Sequence, residues 1–142
     1  LNAYKVIMPC NICRMSGTIN SIIEYLQCSC GCINEDILFE IKVILNELIS
    51  NAIKHGNRQD CSKNVKISVG VSRDCFAYFI IEDEGQGYEC NCNTTMCPDL
   101  DDIDNYCDIK ETGRGILIVR NLSDRITFNQ KGNKVVVLKK LS

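Results

Sequence analysis

Three short stretches of this sequence hold residue types whose spacing suits chemistry. The first is Glu47, Asn51 and His55, at i, i+4 and i+8. On a helix of 3.6 residues per turn they fall within about 80° of one another. A carboxylate in such a row can take a proton from a nucleophile. An amide oxygen one turn away is a hard ligand of the kind Mg²⁺ accepts while keeping several waters. The second stretch is Asp83-Glu84-Gly85-Gln86-Gly87. An aspartate at a strand end can accept a hydrogen bond from an exocyclic amine such as that of adenine, and alternate glycines let a ligand approach the main chain. The third is Thr112-Gly113-Arg114-Gly115, just before the apolar run Ile116-Leu117-Ile118-Val119. If that run is a helix, the free N–H groups of its first turn form an anion site. Taken singly, each has a plainer reading: a solvated helix face, a tight turn, and a glycine-rich link into a strand. Neither G-x-x-x-x-G-K-[ST] nor G-x-G-x-x-G occurs, so the P-loop and the dinucleotide fingerprint are absent.

These residues need elements to hold them. Asn34 can cap a helix with Glu35 and Asp36 in its first turn, where acidic side chains suit the dipole. Ile37, Ile41, Ile44, Leu45, Leu48 and Ala52 then make an apolar stripe on the face away from Glu47, Asn51 and His55. That helix is expected to run to His55-Gly56-Asn57, with Gly56 as its breaker. Upstream, Lys5 to Met8 reads as a short strand and Ser16-Gly17-Thr18 as a turn. Ile19, Ile22, Ile23 and Leu26 then mark an amphipathic helix stopped by Gly31. Downstream, Val65, Ile67, Val69 and Val71 alternate as a half-buried strand. A hairpin turn at Arg73-Asp74 leads into a denser, more buried strand, Phe76 to Ile81. Residues 88 to 112 are polar and irregular, long enough to be functional. Local propensity allows a strand at 116–119, because the residues are largely β-branched. Strands at Arg125 to Phe128 and Lys134 to Leu138 close the chain. This order predicts an α+β fold, a two-layer sandwich with a mixed, mostly antiparallel sheet and helices on one face.

The 142 residues fit one domain, 1–142. Sixteen basic against eighteen acidic residues give a net charge of −2, which argues against direct binding of nucleic acid. No apolar run reaches a membrane span, and the first residues lack a signal-peptide layout. Eleven cysteines cannot all pair within one chain; they are read as reduced thiols in a cytoplasmic protein. Cys10-Asn11-Ile12-Cys13 is a single C-x-x-C. Cys28, Cys30, Cys32 and Cys90, Cys92, Cys97 are irregular, unlike paired zinc knuckles. The aspartates between 99 and 108 lack the central glycine and terminal glutamate of a calcium loop.

The ordered set E-x-x-x-N-x-x-x-H, then D-x-G-x-G, then G-x-G before an apolar segment resembles the Bergerat ATP-binding fold. That superfamily comprises gyrase, heat-shock chaperones, histidine kinases and mismatch-repair ATPases. Glu47-Leu48-Ile49-Ser50-Asn51-Ala52-Ile53-Lys54-His55-Gly56 and Gly113-Arg114-Gly115-Ile116-Leu117-Ile118-Val119 are similar to the boxes of the anti-sigma-factor serine kinases. The resemblance covers about residue 34 to the C-terminus, and it implies a helix, not a strand, after Gly115. It implies that Asn51 holds Mg²⁺, that Glu47 is the catalytic base, and that Asp83 reads the adenine amine. Gly85 and Gly87 would shape the pocket wall, with residues 88–112 as the ATP lid. Thr112, Gly113, Arg114, Gly115 and Ile116 would meet the phosphates of ATP or ADP, with Lys54 and His55 nearby. Two departures stand out: the lid holds Asp99, Asp101, Asp102, Asp104 and Asp108, which would point outward or meet a partner, and Glu111 stands where related kinases can carry a basic residue.

The resemblance implies a protein serine/threonine kinase that phosphorylates an antagonist (anti-anti-sigma) protein and binds a sigma factor. It also suggests a homodimer, with Leu1 to Ile12 in its interface. An ATP-binding module that sequesters a protein without phosphorylating anything is the alternative. A detached histidine-kinase domain fits less well, because the only histidine, His55, lies in the box itself.

Overall fold

A computed structural model of the chain describes residues 3–58, 60–85 and 114–142. Strand β1 is Tyr4–Pro9. A 3₁₀ turn, Ile12–Arg14, follows, and Asn11 caps it by accepting the Cys13 N–H. Helix α1, Met15–Cys30, continues from that turn. The expected turn at 16–18 is therefore already helical: Ser, Gly and Thr there are overridden by a cap one turn earlier. Met15, Ile19, Ile22, Ile23 and Leu26 are buried along one face of α1. Gly31, at φ +77°, ends the helix with its N–H on the carbonyl of Gln27; the left-handed turn there suits a residue without a Cβ.

Helix α2 spans Glu35–Asn51, and the Asp36 N–H donates to Asn34 Oδ1 at 2.7 Å, as the capping pattern predicts. Its core face is wider than the expected stripe. Leu38 and Ile49 are buried with Ile41, Ile44, Leu45 and Leu48, while Ile37 is only half-buried. The helical run ends at Gly56, as expected, but its last turn is not α-helical. It widens into a π turn, Ala52–Gly56, and the Asn57 N–H closes it on the carbonyl of Ala52 at 2.8 Å. Such turns mark places where a helix is bent to serve a site.

Strands β2, Asn64–Val71, and β3, Phe76–Asp83, form a hairpin through residues 72–75. Helix α3, Arg114–Leu122, follows where propensity allowed a strand and the family resemblance implied a helix. Ile116 and Val119, three residues apart, face the core, while Ile118 is exposed; that spacing suits a helix packed on α2, and β-branching yields to it. Strands β4, Arg125–Phe128, and β5, Lys134–Lys140, complete a five-stranded sheet of order β1-β2-β3-β5-β4. Every described pairing is antiparallel, with Ile67 opposite Ile81 and Phe79 opposite Val137.

The helices cover one face of this sheet, and Val65, Ile67, Val69, Phe79, Ile81 and Val137 form the sheet side of a single core with Ile22, Ile44 and Leu45. Strand β3, expected to be the more buried of the two, alternates buried and half-buried residues with none exposed, because helices cover only one face. Lys139 ties the helical layer together. Its Nζ donates to Glu40 on α2 and to the carbonyl of Leu122, the last residue of α3. A cation at a helix C-terminus is favourable, and here it also fixes where α3 lies along α2.

The seven described cysteines are free thiols. Among the described residues no group of three or more His, Cys, Asp or Glu side chains is arranged to hold a metal. No described helix is long and apolar enough to cross a membrane. The segment 88–112, with Cys90, Cys92, Cys97 and its aspartates, lies outside the described residues, as do Gly87, Thr112 and Gly113.

Candidate functional site

Two clusters converge on helix α2. The first joins its middle to the start of α3. A Cβ placed on Gly115 would lie 2.5 Å from Glu47 Oε1 and 3.5 Å from Asn51 Nδ2. The third glycine-bearing stretch of the sequence is thus brought directly onto the first. A side chain at 115 would displace the Glu47 carboxylate from this position. The first-turn N–H groups of α3 have no partner within their own helix, so the positive end of the helix dipole opens beside Glu47 and Asn51. One polar atom of Asn51, Nδ2, is buried without a hydrogen-bond partner. An orphaned amide in a folded core is costly, and a ligand is one way to satisfy it.

The second cluster lies at the C-terminal end of α2. Asp83, the last residue of β3, is only 8% exposed. Its Oδ1 accepts the Gly85 N–H at 2.8 Å. A Cβ on Gly56 would collide with the Asp83 carboxylate, and a Cβ on Gly85 would collide with the Gly56 carbonyl. Gly56 is therefore required by this close approach, and it is also the last residue of the helical run, as expected. Leu48 of α2 and Ala52 of the π turn line a small cavity with Asp83, Phe128, Asn133 and Val135. Its volume of about 20 Å³ leaves room for about one water molecule beside the carboxylate.

Burial pushes the Asp83 carboxyl above its ordinary range, and the Gly85 N–H opposes part of that shift. A folded chain that holds this proton more tightly than the unfolded chain gains stability as pH falls between the ordinary value and the raised one. Above the raised value the buried charge costs stability in full. Asp83→Asn is thus expected to raise the unfolding midpoint at pH 7. It should also weaken binding of an amine-bearing base by about tenfold to a hundredfold, the worth of a hydrogen bond to a charged group. Thermal melts at pH 5 and 7 beside calorimetric titration with adenine nucleotide check both; a midpoint that falls, or an unchanged affinity, counts against this reading.

The remaining sequence-derived residues are placed as follows. Lys54 is exposed, and His55 sits partly exposed in the π turn, beyond the point where the 100° repeat holds. Ile116 is 3% exposed, with its side chain in the core, so only its backbone can face a ligand. Arg114 opens α3. Two residues that the sequence reading passed over are central here, Asn57 and Asn133. Asn57 is wholly buried, and a polar residue inside a core leaves no mark in a hydropathy pattern.

Comparison with known proteins agrees with this arrangement. The model of the histidine kinase-like ATPase domain family matches residues 15–139. The chain is 30% identical over 115 residues to the anti-sigma F factor of Bacillus velezensis, covering 75% of this chain and 72% of that protein. It is 34% identical over 107 residues to the anti-sigma F factor of Geobacillus sp. (strain WCH70), covering 74% and 70%. It is 22% identical over 111 residues to the serine-protein kinase RsbW of Staphylococcus epidermidis, covering 73% and 66%. With four of the five strands, the helices and the Gly115 approach in the matched region, the chain belongs to the histidine kinase-like ATPase domain family.

Proposed function

We propose that this chain is an ATP-binding anti-sigma factor and serine/threonine kinase, which phosphorylates an antagonist protein in a partner-switching system. The observation that carries the proposal is the seat of Gly115 on Glu47 and Asn51. It sets a carboxylate, an unsatisfied amide and a helix N-terminus around one point, as phosphoryl transfer requires of a protein that works by positioning and charge. The relatives named anti-sigma F factor and serine-protein kinase RsbW support the same reading.

The residues present fit a nucleotide with Mg²⁺. Asn51 Oδ1 would be the ligand for the metal, while the unsatisfied Nδ2 is a donor suited to a phosphate oxygen, and the space kept open by Gly115 admits phosphate oxygens at the start of α3. Bound Mg²⁺ would supply neutralisation of phosphate charge. Asp83 accepts the amine of the base. Glu47 accepts the proton of the incoming hydroxyl. Lys54, Thr112, Gly113 and Arg114 are assigned to the phosphate end, and Gly87 to the start of a lid over 88–112. The chain is read as one domain, 1–142, in the cytoplasm. It is also read as a homodimer that uses Leu1 to Ile12: β1 is an edge strand, and Ile7 and Ile12 are 62% and 50% exposed.

Thermal unfolding with and without Mg-ATP tests the proposal. At a hundredfold excess over the dissociation constant, binding stabilises by about 2.7 kcal/mol, which for a chain of this size is roughly 6–12 °C. The shift should shrink when EDTA removes Mg²⁺ and in Asn51→Ala. No shift with any adenine nucleotide would remove the proposal.

A further inference from the structure

The peptide bond that follows Asp83 is gripped at both of its polar ends. Its carbonyl, Asp83 O, accepts from Asn133 Nδ2 at 3.1 Å. Its N–H, that of Glu84, donates to Asn57 Oδ1 at 2.8 Å. The two asparagines come from opposite sides, one from the end of the π turn and one from the start of β5. Neither amide is loosely held. Asn57 Nδ2 donates to the carbonyl of Asn64 at 2.9 Å. Asn133 Oδ1 accepts from Asn129 Nδ2 at 2.8 Å, and Asn129 Oδ1 in turn accepts the Gly132 N–H at 2.7 Å. The Asn133 carbonyl also takes the Asp83 N–H at 2.9 Å.

An amide bonded at both ends avoids the cost of unpaired polar groups, and such fully satisfied networks are rigid. This one encloses the backbone immediately beside the carboxylate. A rotation of the Asp83–Glu84 peptide would also carry away the Gly85 N–H that holds Asp83 Oδ1. The carboxylate would then lose its fixed direction, and hydrogen bonds weaken steeply with angle.

We propose that Asn57 and Asn133 are positioning residues for base selection: by clamping the Asp83–Glu84 peptide they keep the Asp83 carboxylate aimed at a purine 6-amino group, and so set the preference for adenine over 6-oxo purines. The inference rests on the reading of Asp83 as the base-reading carboxylate. A 6-oxo purine presents a lone pair where adenine presents an N–H, so a carboxylate held in place repels it. A carboxylate free to swing binds adenine less well and tolerates the oxo group better.

Calorimetric titration with Mg-ATP and with Mg-inosine triphosphate tests this in the full chain and in Asn57→Ala, Asn133→Ala and the double variant. Each single variant is expected to lower the ATP-to-inosine-triphosphate affinity ratio by about tenfold, the loss of one well-made hydrogen bond near a charge. The double variant should fall little further, because freeing either end frees the peptide. Asn133→Asp keeps the acceptor for Asn129 but loses the donor to the Asp83 carbonyl, and should lower the ratio as Asn133→Ala does. Together with Asn133→Ala, it decides the matter if Asn57→Ala does not fold. Ile22→Val, a core truncation in α1, should lower the unfolding midpoint and leave the ratio unchanged. Asparagine variants that melt earlier yet keep the wild-type ratio would overturn the clamp while leaving the nucleotide reading intact. A wild-type chain that binds neither nucleotide would instead overturn that reading, and the clamp with it.

Discussion

Glu47→Gln is expected to reduce phosphate transfer by about 10²–10⁴-fold, the usual contribution of a positioned general base, while the affinity for Mg-ATP stays within about threefold. The reason lies in what the substitution keeps. Glutamine has the same length and shape, so the contact with Gly115 at the start of α3 is preserved. The apolar face of α2 is untouched, because Leu48 and Ile49 remain buried beside it. What is lost is an oxygen able to hold a proton as the serine or threonine hydroxyl attacks. The measurement is transfer of label from γ-labelled ATP to the antagonist protein, beside calorimetric affinity for each form. A fall in both together would assign Glu47 to nucleotide binding. Wild-type chain that binds Mg-ATP and a sigma factor but never transfers label would establish the sequestering module in place of the kinase.

Gly85→Ala should be the most damaging single change to nucleotide affinity. The space its Cβ needs is occupied by the backbone carbonyl of Gly56, and a backbone atom in a closed π turn cannot rotate away as a side chain can. Overpacking of this kind costs about 1–3 kcal/mol. The affinity loss expected from it is roughly fivefold to 150-fold, because the displaced loop carries the N–H that orients Asp83. Gly17→Ala is the matching control. Gly17 lies within α1 with open space around it, so alanine there should stabilise the helix by up to about 1 kcal/mol and leave ATP affinity alone. Urea unfolding and nucleotide titration of both variants measure this. An alanine at 85 that binds ATP normally would mean that the Gly56–Gly85 contact is not part of the pocket.

Much of the fold could be read without coordinates. The α2 cap at Asn34, the stop at Gly31, the alternation of β2 and the two closing strands are local signals. Each arises from hydrogen bonding or from side-chain periodicity over a few residues. The places that misled are those where distant packing outvoted the local signal. Ser16-Gly17-Thr18 is helical because a 3₁₀ turn capped by Asn11 precedes it. The run after Gly115 is helical because Ile116 and Val119 can reach the core together only at helical spacing.

The chemistry divides along the same line. Residue types and their order alone determined which side chains are available, Glu47, Asn51 and Asp83 among them, because a glutamate, an amide and an aspartate each have few uses at those spacings. The tertiary structure decided which of them meet. Contact between residues 47 and 115, or between 56, 83 and 85, depends on how α3 is pinned along α2 and on the π turn at its end. It also decided that two asparagines with no motif around them hold the Asp83–Glu84 peptide. Such pairings carry no local trace, since they are set by long-range closure of the chain, where hydrogen-bond geometry is fixed only once the core is packed.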